Sequence, residues 1–448
     1  MTDASLIVHD ERGGELRLDT SLGRGGQGEV WAVSGGQRAV KLLNDASPAR
    51  QELLGQQLRR VRRLPLDGLP IARPQLLLAL PHVGYVMTLA EDMTSLRELM
   101  FPAGRRDVVD WFVEGGGLRR RLGLLARAAD VLAELHGRGI AYGDPSPNNI
   151  LVSKDVGHSE VFLIDTDNLT VTSRPGLGVY TPFYGAPEVV RNETGVSTLS
   201  DAHAFAVLAF ETLTLTHPVI GDVIAEGAPE LEADALSGRV PWIDDPTSAQ
   251  NRSSSGFPRE CVLTRRLREL AGVGFGVGLN NPVERPGVSA WAQQLHHAED
   301  LAISCASCRS TYYGTALECV WCGNPRGPIA VLEFLLDHGF SEGTTLQPTR
   351  TGAVFLRTDE CRQVPGRLAT GRTSDDTPVL EVTLQKSKVV VRNLAQRDLI
   401  IQGAQQKHEL PTGKELGIPT RSSARLLFGD PSTIHRFAVI RGVDDADR

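Results

Sequence analysis

Lysine is almost absent from this sequence. Six of its 47 basic residues are lysine and the others are arginine. Arginine is a planar fork and lysine a compact point charge, so a lysine in such a chain indicates a need for the ammonium group itself. The first 153 residues contain a single lysine, Lys41. Its position is therefore more informative than the position of any arginine nearby.

Other features are missing as well. No uninterrupted apolar window of about 18 residues occurs, so a membrane-spanning helix is not expected. The first residues, Met1–Ala4, show neither a basic region nor an apolar core, so no secretory signal is expected. A net charge of -7 and a pI near 5.9 provide no overall attraction for nucleic acids or anionic membranes. These absences favour a soluble, cytoplasmic protein without membrane or nucleic-acid partners.

Cysteine is also sparse, with six in 448 residues, yet four of them lie close together. Cys305 and Cys308 form one C-x-x-C pair, and Cys319 and Cys322 form another ten residues later. In a reducing compartment this clustering favours a metal site over disulfides. Four thiolates complete the shell of a structural Zn²⁺ and leave no open position for catalysis. Four reduced cysteines without a metal are the alternative.

The region 15–43 has the alternation and turn signals of an antiparallel sheet. Its motif G-x-G-x-x-G-x-V comprises Gly23, Gly25, Gly28 and Val30. Such glycines let backbone N–H groups approach phosphate oxygens without a Cβ clash, although a turn without a ligand is the alternative. Lys41 follows Gly28 by thirteen residues, on the third predicted strand. We therefore interpret Lys41 as a ligand to the α- and β-phosphates of a nucleotide.

A predicted helix over 48–64 and two more strands come next. Glu52, in the first turns of that helix, is the candidate partner of Lys41, and a solvated surface residue is the alternative. Met87 falls where a residue would border an adenine pocket. Leu89 begins the predicted hinge to a second lobe.

A loop rich in turn formers, Tyr142–Asn149, follows a helix predicted over 118–138. It contains the carboxylate of Asp144 and, five positions later, the amide of Asn149. A second carboxylate, that of Asp165, directly follows the apolar run 161–164 and lies sixteen residues beyond Asn149. Two carboxylates and an amide on loops between buried strands are typical of a metal-and-base site.

Together these motifs resemble the eukaryotic-like serine/threonine protein kinases of bacteria, over about residues 15–300. Later landmarks agree with this resemblance. Glu188, in Ala-Pro-Glu, resembles the glutamate that closes the activation loop, and Arg285 resembles its arginine partner. Asp201 resembles the aspartate that holds the backbone of the catalytic loop.

The resemblance implies roles for the site residues. Lys41 and the glycine-loop amides would hold the phosphates of ATP, and Asp165 and Asn149 would bind Mg²⁺. Asp144 would accept the proton of a substrate hydroxyl. We predict an ATP- and Mg²⁺-dependent protein kinase that phosphorylates serine or threonine in a regulatory or signalling role. The alternative is a nucleotide-binding pseudokinase that serves as a scaffold for protein–protein interaction.

The sequence departs from the usual kinase pattern at three places. Gly143 replaces the arginine that precedes the catalytic aspartate, and Ser146 replaces a lysine, as in the atypical RIO kinases. The metal motif is Asp165-Thr166-Asp167 instead of Asp-Phe-Gly. Asp167 is either a second metal ligand or a turn residue, and we favour the turn residue. Hydroxyls that could be autophosphorylated in the activation segment are Thr170, Thr172, Ser173 and Thr181.

The predicted fold is α+β, a two-lobe protein-kinase-like fold followed by two further modules. We expect a kinase N-lobe at 1–90, a kinase C-lobe at 91–300, a zinc ribbon at 301–327 and an all-β sandwich at 328–448. In the last region, 331–338 is a short helix or strand, and 357–376 is predicted to be loops.

The sandwich faintly resembles a forkhead-associated domain, which reads phosphothreonine. Gly371-Arg372 would match its start, but no convincing phosphate-binding motif follows, so we favour a degenerate sandwich used for protein contacts. The zinc ribbon and the Asp-x-Asp loop also look similar to kinases of tellurite-resistance-associated clusters. That resemblance implies a von Willebrand A protein and a metal-dependent phosphatase as partners, besides protein substrates.

Overall fold

The computed structural model describes residues 6–25, 28–44, 47–102, 104, 107–171, 180–341, 344–403 and 406–443. Two predicted phosphorylation positions, Thr172 and Ser173, lie outside these ranges. The chain forms two compact units. The first comprises 1–101, 127–256 and 269–291, and the second comprises 102–126, 257–268 and 292–448. Within the described ranges, no helix combines the length and the apolar character that crossing a membrane would need.

The first unit opens with a six-stranded antiparallel sheet in the order β1-β2-β3-β4-β6-β5. Its strands are β1 (Leu6–His9), β2 (Glu15–Arg24), β3 (Gly28–Val33), β4 (Arg38–Leu43), β5 (Leu76–Leu77) and β6 (Gly84–Thr88). Alternating side chains on β2 bury Leu16 and Leu18 and expose their neighbours, as the period of two in a half-buried strand requires. The predicted strands of region 15–43 are confirmed.

The helix α1 (Pro48–Arg62) confirms the prediction for 48–64. Proline at its first position costs nothing there, because that N–H has no intrahelical partner. Leu58 on α1 packs with Ala39, Tyr85 and Met87 of the sheet in one apolar cluster. The sheet and α1 are therefore held together by side chains from β4, β6 and the helix.

Helices and a small three-stranded sheet follow. The sheet, in the order β7-β8-β9, consists of β7 (Met93–Ser95), β8 (Ile150–Ser153) and β9 (Val161–Leu163). The helices of this part of the chain are α2 (Val108–Glu114), α3 (Gly117–Gly137), α4 (Pro187–Val190), α5 (Thr198–Thr214), α6 (Asp222–Ala225), α7 (Pro229–Leu236), α8 (Arg259–Val262), α9 (Arg265–Phe275), α10 (Val277–Asn280) and α11 (Val288–Leu301). Short 3₁₀ turns occupy 96–99, 166–168 and 282–284.

The most deeply buried helix of the first unit is α5, whose residues 200–214 are all buried. Its start is fixed by a capping box, in which the side chains of Ser197 and Ser200 satisfy each other's backbone N–H groups. Phe210 packs edge-on against Phe275 with ring centroids 5.8 Å apart, an arrangement that favours the ring quadrupoles. This helix gives the site described below a rigid base.

The second unit contains several antiparallel sheets. From residue 302 onward its elements are β10 (Ala302–Ser304), β11 (Thr311–Tyr313), β12 (Ile329–Asp337), β13 (Phe340–Ser341), β14 (Thr344–Thr345), β15 (Thr349–Arg357), β16 (Cys361–Pro365), α12 (Gly366–Thr370), β17 (Pro378–Leu384), β18 (Lys388–Asn393), β19 (Leu399–Gln402), β20 (Lys407–Leu410), β21 (Glu415–Pro419), β22 (Ser423–Leu427) and β23 (His435–Val443). The larger sheets run β15-β12-β23-β22-β19-β20 and β16-β17-β18-β21. Both contribute side chains to one apolar core, including Phe334 from the first and Val391 from the second.

The structure decides between two alternatives for one segment of this region and corrects the expectation for another. Region 331–338, predicted to be a helix or a strand, is a strand, because β12 pairs with both β15 and β23. Region 357–376 was expected to be loops but contains β16 and α12. Cross-strand pairing with β17 orders β16, and α12 buries Leu368 and Ala369 before Gly371 ends it at a φ of 79°. Neither effect is visible in a sequence stretch rich in turn formers.

Candidate functional site

Asp201, in the first turn of α5, holds the backbone of the predicted catalytic loop. One carboxylate oxygen of Asp201 accepts a hydrogen bond from the backbone N–H of Tyr142 at 2.6 Å, and the other accepts from Gly143 at 2.9 Å. His136, near the end of α3, donates from Nε2 to the same carboxylate at 3.1 Å. Gly143 adopts a φ of 94°, which a side chain would oppose. The prediction that Asp201 holds the loop backbone is confirmed.

Asp144 is buried, and its carboxylate has a defined orientation. Asn149 donates from Nδ2 at 2.9 Å. Thr181 donates twice, from its backbone N–H at 2.8 Å and from its hydroxyl at 2.9 Å. Burial raises the pKa of Asp144 above its ordinary value, although the hydrogen bonds from Thr181 and Asn149 oppose the rise. A carboxylate held in this way is suited to accept a proton.

Lys41 lies on β4 directly opposite Tyr85 of β6. Its ammonium forms ion pairs with Asp165 and with Asp167, the latter at 2.7 Å. The hydroxyl of Tyr85 also donates to Asp167, at 3.2 Å. Burial alone would lower the pKa of Lys41, but the two aspartates outweigh it and raise this pKa. The result is a buried cation paired with two carboxylates, one of which also accepts a hydrogen bond from a phenol.

Asp165 follows β9 in a left-handed backbone conformation, with a φ of 61°. Burial and the neighbouring charge of Asp167 raise its pKa to about 6, against the opposing effect of Lys41. The hydroxyl of Tyr142 lies at hydrogen-bond distance from two main-chain carbonyl oxygens, that of Ile164 and, at 3.2 Å, that of Asn149. Tyr142 therefore links Asn149 to Ile164, the residue before Asp165. Asn149 and Asp165 are the two predicted Mg²⁺ ligands.

The predicted pairing of Lys41 with Glu52 is wrong. Glu52 is exposed on α1, and its carboxylate accepts a hydrogen bond from Gln56 at 3.4 Å. The residue of α1 that reaches the site is Gln57, which donates from Nε2 to the carbonyl oxygens of Asp167 and of residue 169, at 3.2 and 3.3 Å. Glu52 lies on a helix face turned to solvent, which the spacing from Lys41 could not show. A neutral amide was not an expected partner in a kinase-like site, so Gln57 was missed.

Asp167 lies in a 3₁₀ turn, in agreement with the favoured interpretation as a turn residue. The sequence did not indicate its further contacts: its buried carboxylate meets the ammonium of Lys41 and the hydroxyl of Tyr85. The charge of Lys41 lowers the pKa of Asp167 although burial opposes this. Tyr85, which is fully buried, was not singled out because an aromatic residue in a strand usually belongs to a core.

The glycines and the predicted adenine-pocket residues also have clear positions. A Cβ on Gly28 would lie 2.1 Å from the carbonyl oxygen of Leu42, so this glycine is required by strand contact. A Cβ on Gly23 or Gly25 would meet nothing within 4 Å, which leaves open space beside that backbone. The apolar candidates, which share one cluster on the α1 side of the sheet, are Val30, Met87 and Leu89.

Ser146 and the pair Glu188–Arg285 complete the first unit's site. Ser146 is buried, and within the part of the chain that the structure describes its hydroxyl has no hydrogen-bond partner. The guanidinium of Arg285 binds both carboxylate oxygens of Glu188 at 2.7 Å, so the predicted pair is confirmed. This bidentate contact fixes the end of the activation segment.

The four clustered cysteines of the second unit converge. Their sulfur atoms all lie within 4.8 Å of one another, with 3.7 Å between Cys305 and Cys322 and between Cys308 and Cys319. A Zn–S bond of about 2.3 Å in a tetrahedron separates the sulfurs by about 3.8 Å, so the donor set fits a zinc ion. It fits the structural role, because four protein ligands fill the shell.

The cysteine cluster is part of a folded core. Cys305 and Cys319 share an apolar cluster with Ile329 of β12 and Phe355 of β15. Trp321, between the last two cysteines, packs edge-on against Phe257 with centroids 5.0 Å apart, and its indole N–H donates to the carbonyl of residue 311 at 2.9 Å. A metal ion there would consolidate this part of the second unit.

Sequence comparisons place the chain beside serine/threonine protein kinases. No protein-family model matches it. The chain is 28% identical over 231 residues to the serine/threonine-protein kinase pkn2 of Myxococcus xanthus, covering 46% of this chain and 25% of the relative. It is 34% identical over 111 residues to the serine/threonine-protein kinase PknB of Mycolicibacterium smegmatis, covering 23% of this chain and 17% of the relative.

A third relative comes from a eukaryote. The chain is 38% identical over 141 residues to the cGMP-dependent protein kinase of Toxoplasma gondii, covering 29% of this chain and 14% of the relative. The chain thus spans a quarter or less of these relatives' lengths. The comparisons support a eukaryotic-like kinase at a general level and a kinase fold for the matched region.

Proposed function

We propose that this protein is an ATP- and Mg²⁺-dependent serine/threonine protein kinase with a regulatory or signalling role. The observation that supports it best is the convergence of Lys41, Asp144, Asn149 and Asp165 around one loop that Asp201 anchors. Phosphoryl transfer depends on positioning and charge neutralisation, and these residue types supply both. In this proposal the nucleotide-binding lobe is 1–90 and the substrate-binding lobe is 91–300.

Each site residue has a distinct task in this proposal. Asp144, oriented by Asn149 and Thr181, accepts the proton of the substrate hydroxyl. Lys41 binds the α- and β-phosphates of ATP, which also pass the open backbone at the glycine loop. Asp165 and Asn149 are the oxygen donors for Mg²⁺, which prefers carboxylate and carbonyl ligands. When bound, Mg²⁺ neutralises charge on the phosphates.

Burial also sets a pH requirement for this chemistry. Asp144 and Asp165 have pKa values above the ordinary range, that of Asp165 at about 6. Both must be ionised, one to accept a proton and the other to bind a cation. Phosphoryl transfer should therefore decline as the pH falls toward 6.

A nucleotide-binding pseudokinase scaffold is the second candidate. It is favoured by the absence of a cation at position 146, where the side chain of Ser146 is buried and its hydroxyl has no hydrogen-bond partner among the described residues. Lysine at that place in related kinases lies near the transferred phosphate. Without it, transfer would depend on Lys41 and the metal ligands for charge neutralisation.

An autophosphorylation assay with radiolabelled ATP distinguishes the two candidates. The intact protein should transfer label to itself or to a generic protein substrate in the presence of Mg²⁺. Asp144→Asn should abolish transfer while retaining nucleotide binding, and Lys41→Ala should weaken both. Exposed Glu52→Gln serves as the matched control and should retain activity. Nucleotide binding by the intact protein without any label transfer would exclude the kinase and favour the scaffold.

The second unit has a supporting role in this proposal. The four cysteines hold a structural Zn²⁺, and the C-terminal β region is a sandwich, of the degenerate forkhead-associated type, that contacts other proteins. A von Willebrand A protein and a metal-dependent phosphatase are the proposed partners besides the protein substrates, and the cytoplasm is the proposed location. A pull-down with the full chain, with and without phosphothreonine peptide as competitor, tests whether the contacts depend on phosphate.

A further inference from the structure

Lys41 is held by the metal-binding segment and not by a helix glutamate. Its ammonium contacts Asp167 at 2.7 Å, and the side chains of both residues are at most one-tenth exposed. The carboxylate of Asp167 also accepts the hydroxyl hydrogen of Tyr85 at 3.2 Å. Glu52 of α1, the predicted partner of Lys41, is exposed, and its carboxylate accepts a hydrogen bond from Gln56.

The segment that carries Asp167 is fixed by its neighbours. Thr166 donates its hydroxyl hydrogen to the carbonyl oxygen of Ala72 at 2.6 Å. Gln57 of α1 donates to the carbonyl oxygen of Asp167 itself at 3.2 Å. The helix therefore supports the backbone of this segment with a neutral amide, and the negative charge comes from the segment. A buried carboxylate in such a setting needs a fixed partner cation, because burying an unpaired charge is costly.

We propose that Asp167 is the positioning residue for Lys41, in place of a glutamate from α1. This inference rests on the proposed kinase function, in which Asp165 binds Mg²⁺. Lys41 contacts both aspartates, so recruiting Asp165 to a metal takes one of these two carboxylates away from Lys41. Asp167 remains and keeps the ammonium in place for the phosphates. Because of Asp167, the buried ammonium of Lys41 keeps a carboxylate in contact when Asp165 leaves.

The consequence concerns the metal requirement. If Asp167 loses its charge, Asp165 is the one of these two aspartates that can still form an ion pair with Lys41. Lys41 then competes with Mg²⁺ for the carboxylate of Asp165. Hydrogen bonds to charged groups contribute enough that their loss changes an equilibrium by about tenfold or more. Asp167→Asn should therefore raise the Mg²⁺ concentration that half-saturates nucleotide binding by about tenfold. Binding in EDTA should not weaken, because Asp165 is then free to hold Lys41.

The test measures binding of the non-hydrolysable analogue AMP-PNP to the full chain, in EDTA and across a Mg²⁺ titration. Asp167→Asn should show the shifted Mg²⁺ dependence, Tyr85→Phe a smaller shift in the same direction, and Glu52→Gln none. Undiminished binding of the Asp167 variant in EDTA also shows that its site is folded. In the transfer assay, its kcat at saturating Mg²⁺ should recover to within about threefold of the unmodified protein, which a merely misfolded site would not do.

Several results would overturn the inference. A wild-type Mg²⁺ dependence in Asp167→Asn, or weakened binding in EDTA, would show that Asp167 does not act in this way. A shifted dependence in Glu52→Gln would return the role to α1. If the variants show the expected shifts in the Mg²⁺ dependence of AMP-PNP binding but the unmodified protein transfers no phosphate, the kinase proposal fails. The positioning role of Asp167 then still stands. If the unmodified protein binds no AMP-PNP, both fail.

Discussion

Removing one member of the buried pair Glu188–Arg285 should strongly destabilise the first unit. The side chains are 7% and 1% exposed, and the two are joined by two hydrogen bonds of 2.7 Å. Arg285 donates three more hydrogen bonds, to the carbonyl oxygens of Gly278 at 2.7 Å and of Leu199 and Leu279 at 3.2 Å. All five guanidinium N–H groups are therefore used.

The expected magnitude follows from that count. Glu188→Ala leaves a buried guanidinium with three carbonyl partners but without its counter-charge, and two of its donors lose their acceptor. Breaking a buried ion pair by removing one partner costs about 3–5 kcal/mol. Arg285→Leu should cost a similar amount, because the carboxylate of Glu188 then lies buried without a cation. The double variant should lose about 2 kcal/mol less than the sum of the two single losses.

Hydrogen exchange of the full chain, followed by mass spectrometry, measures this effect locally and avoids assuming two-state unfolding of a chain with two units. Peptides covering 187–201 and 277–286 should exchange about 100-fold faster in either single variant. The exposed pair Arg239–Asp234, with side chains 60% and 43% exposed, is the control, and Arg239→Ala should change exchange little. Additive single losses in the double variant would refute the reasoning.

Three further predictions concern the loop anchor, a buried histidine and the cysteines. Asp201→Asn should lower kcat by about 100-fold with AMP-PNP affinity unchanged, because a misplaced loop affects transfer more than binding; a normal kcat would contradict the anchoring role. Burial lowers the pKa of His217 from 6.5 to about 4, so the unfolded chain binds more protons between these values and stability falls as the pH drops from 6.5 toward 4. The loss approaches about 3 kcal/mol, and thermal unfolding of His217→Gln should depend less on pH over this range than that of the unmodified protein. Cys319→Ser should abolish binding of one Zn²⁺ per chain, measured with a zinc-sensitive dye, and should speed exchange in β12 and β15; unchanged exchange would separate the metal from that core.

The neutral state assigned to His217 is consistent with its contacts. Its Nε2 donates to the carbonyl oxygen of Phe183 at 3.0 Å, while Nδ1 accepts from the backbone N–H of Val219 at 3.3 Å. A protonated ring would direct a second N–H at the N–H of Val219. The acid sensitivity predicted for this position therefore has a geometric reason as well as burial.

Much of the first unit could be predicted because the determinants are local. Alternating side chains and glycines define the hairpins of region 15–43, and Pro48 marks the start of α1. Asp201 and Arg285 were recognised from short motifs whose partners lie at defined places in kinase-like chains. The cysteine pairs likewise fix their own ligand spacing, so the convergence seen at Cys305 and Cys319 required no knowledge of distant contacts.

The sequence alone therefore determined which residue types the candidate site contains, and the tertiary structure decided how they are paired. Spacing suggested Glu52 for Lys41, but the direction of α1 exposes that carboxylate. Folding instead buries Asp167 against the ammonium, with the hydroxyl of Tyr85 donating to the same carboxylate. Region 357–376 shows the same limit, since pairing with β17 and burial of an apolar turn order a stretch without a local signal. Local propensity acts over a few residues, whereas the cost of burying a charge is settled by whichever groups the complete fold brings beside it.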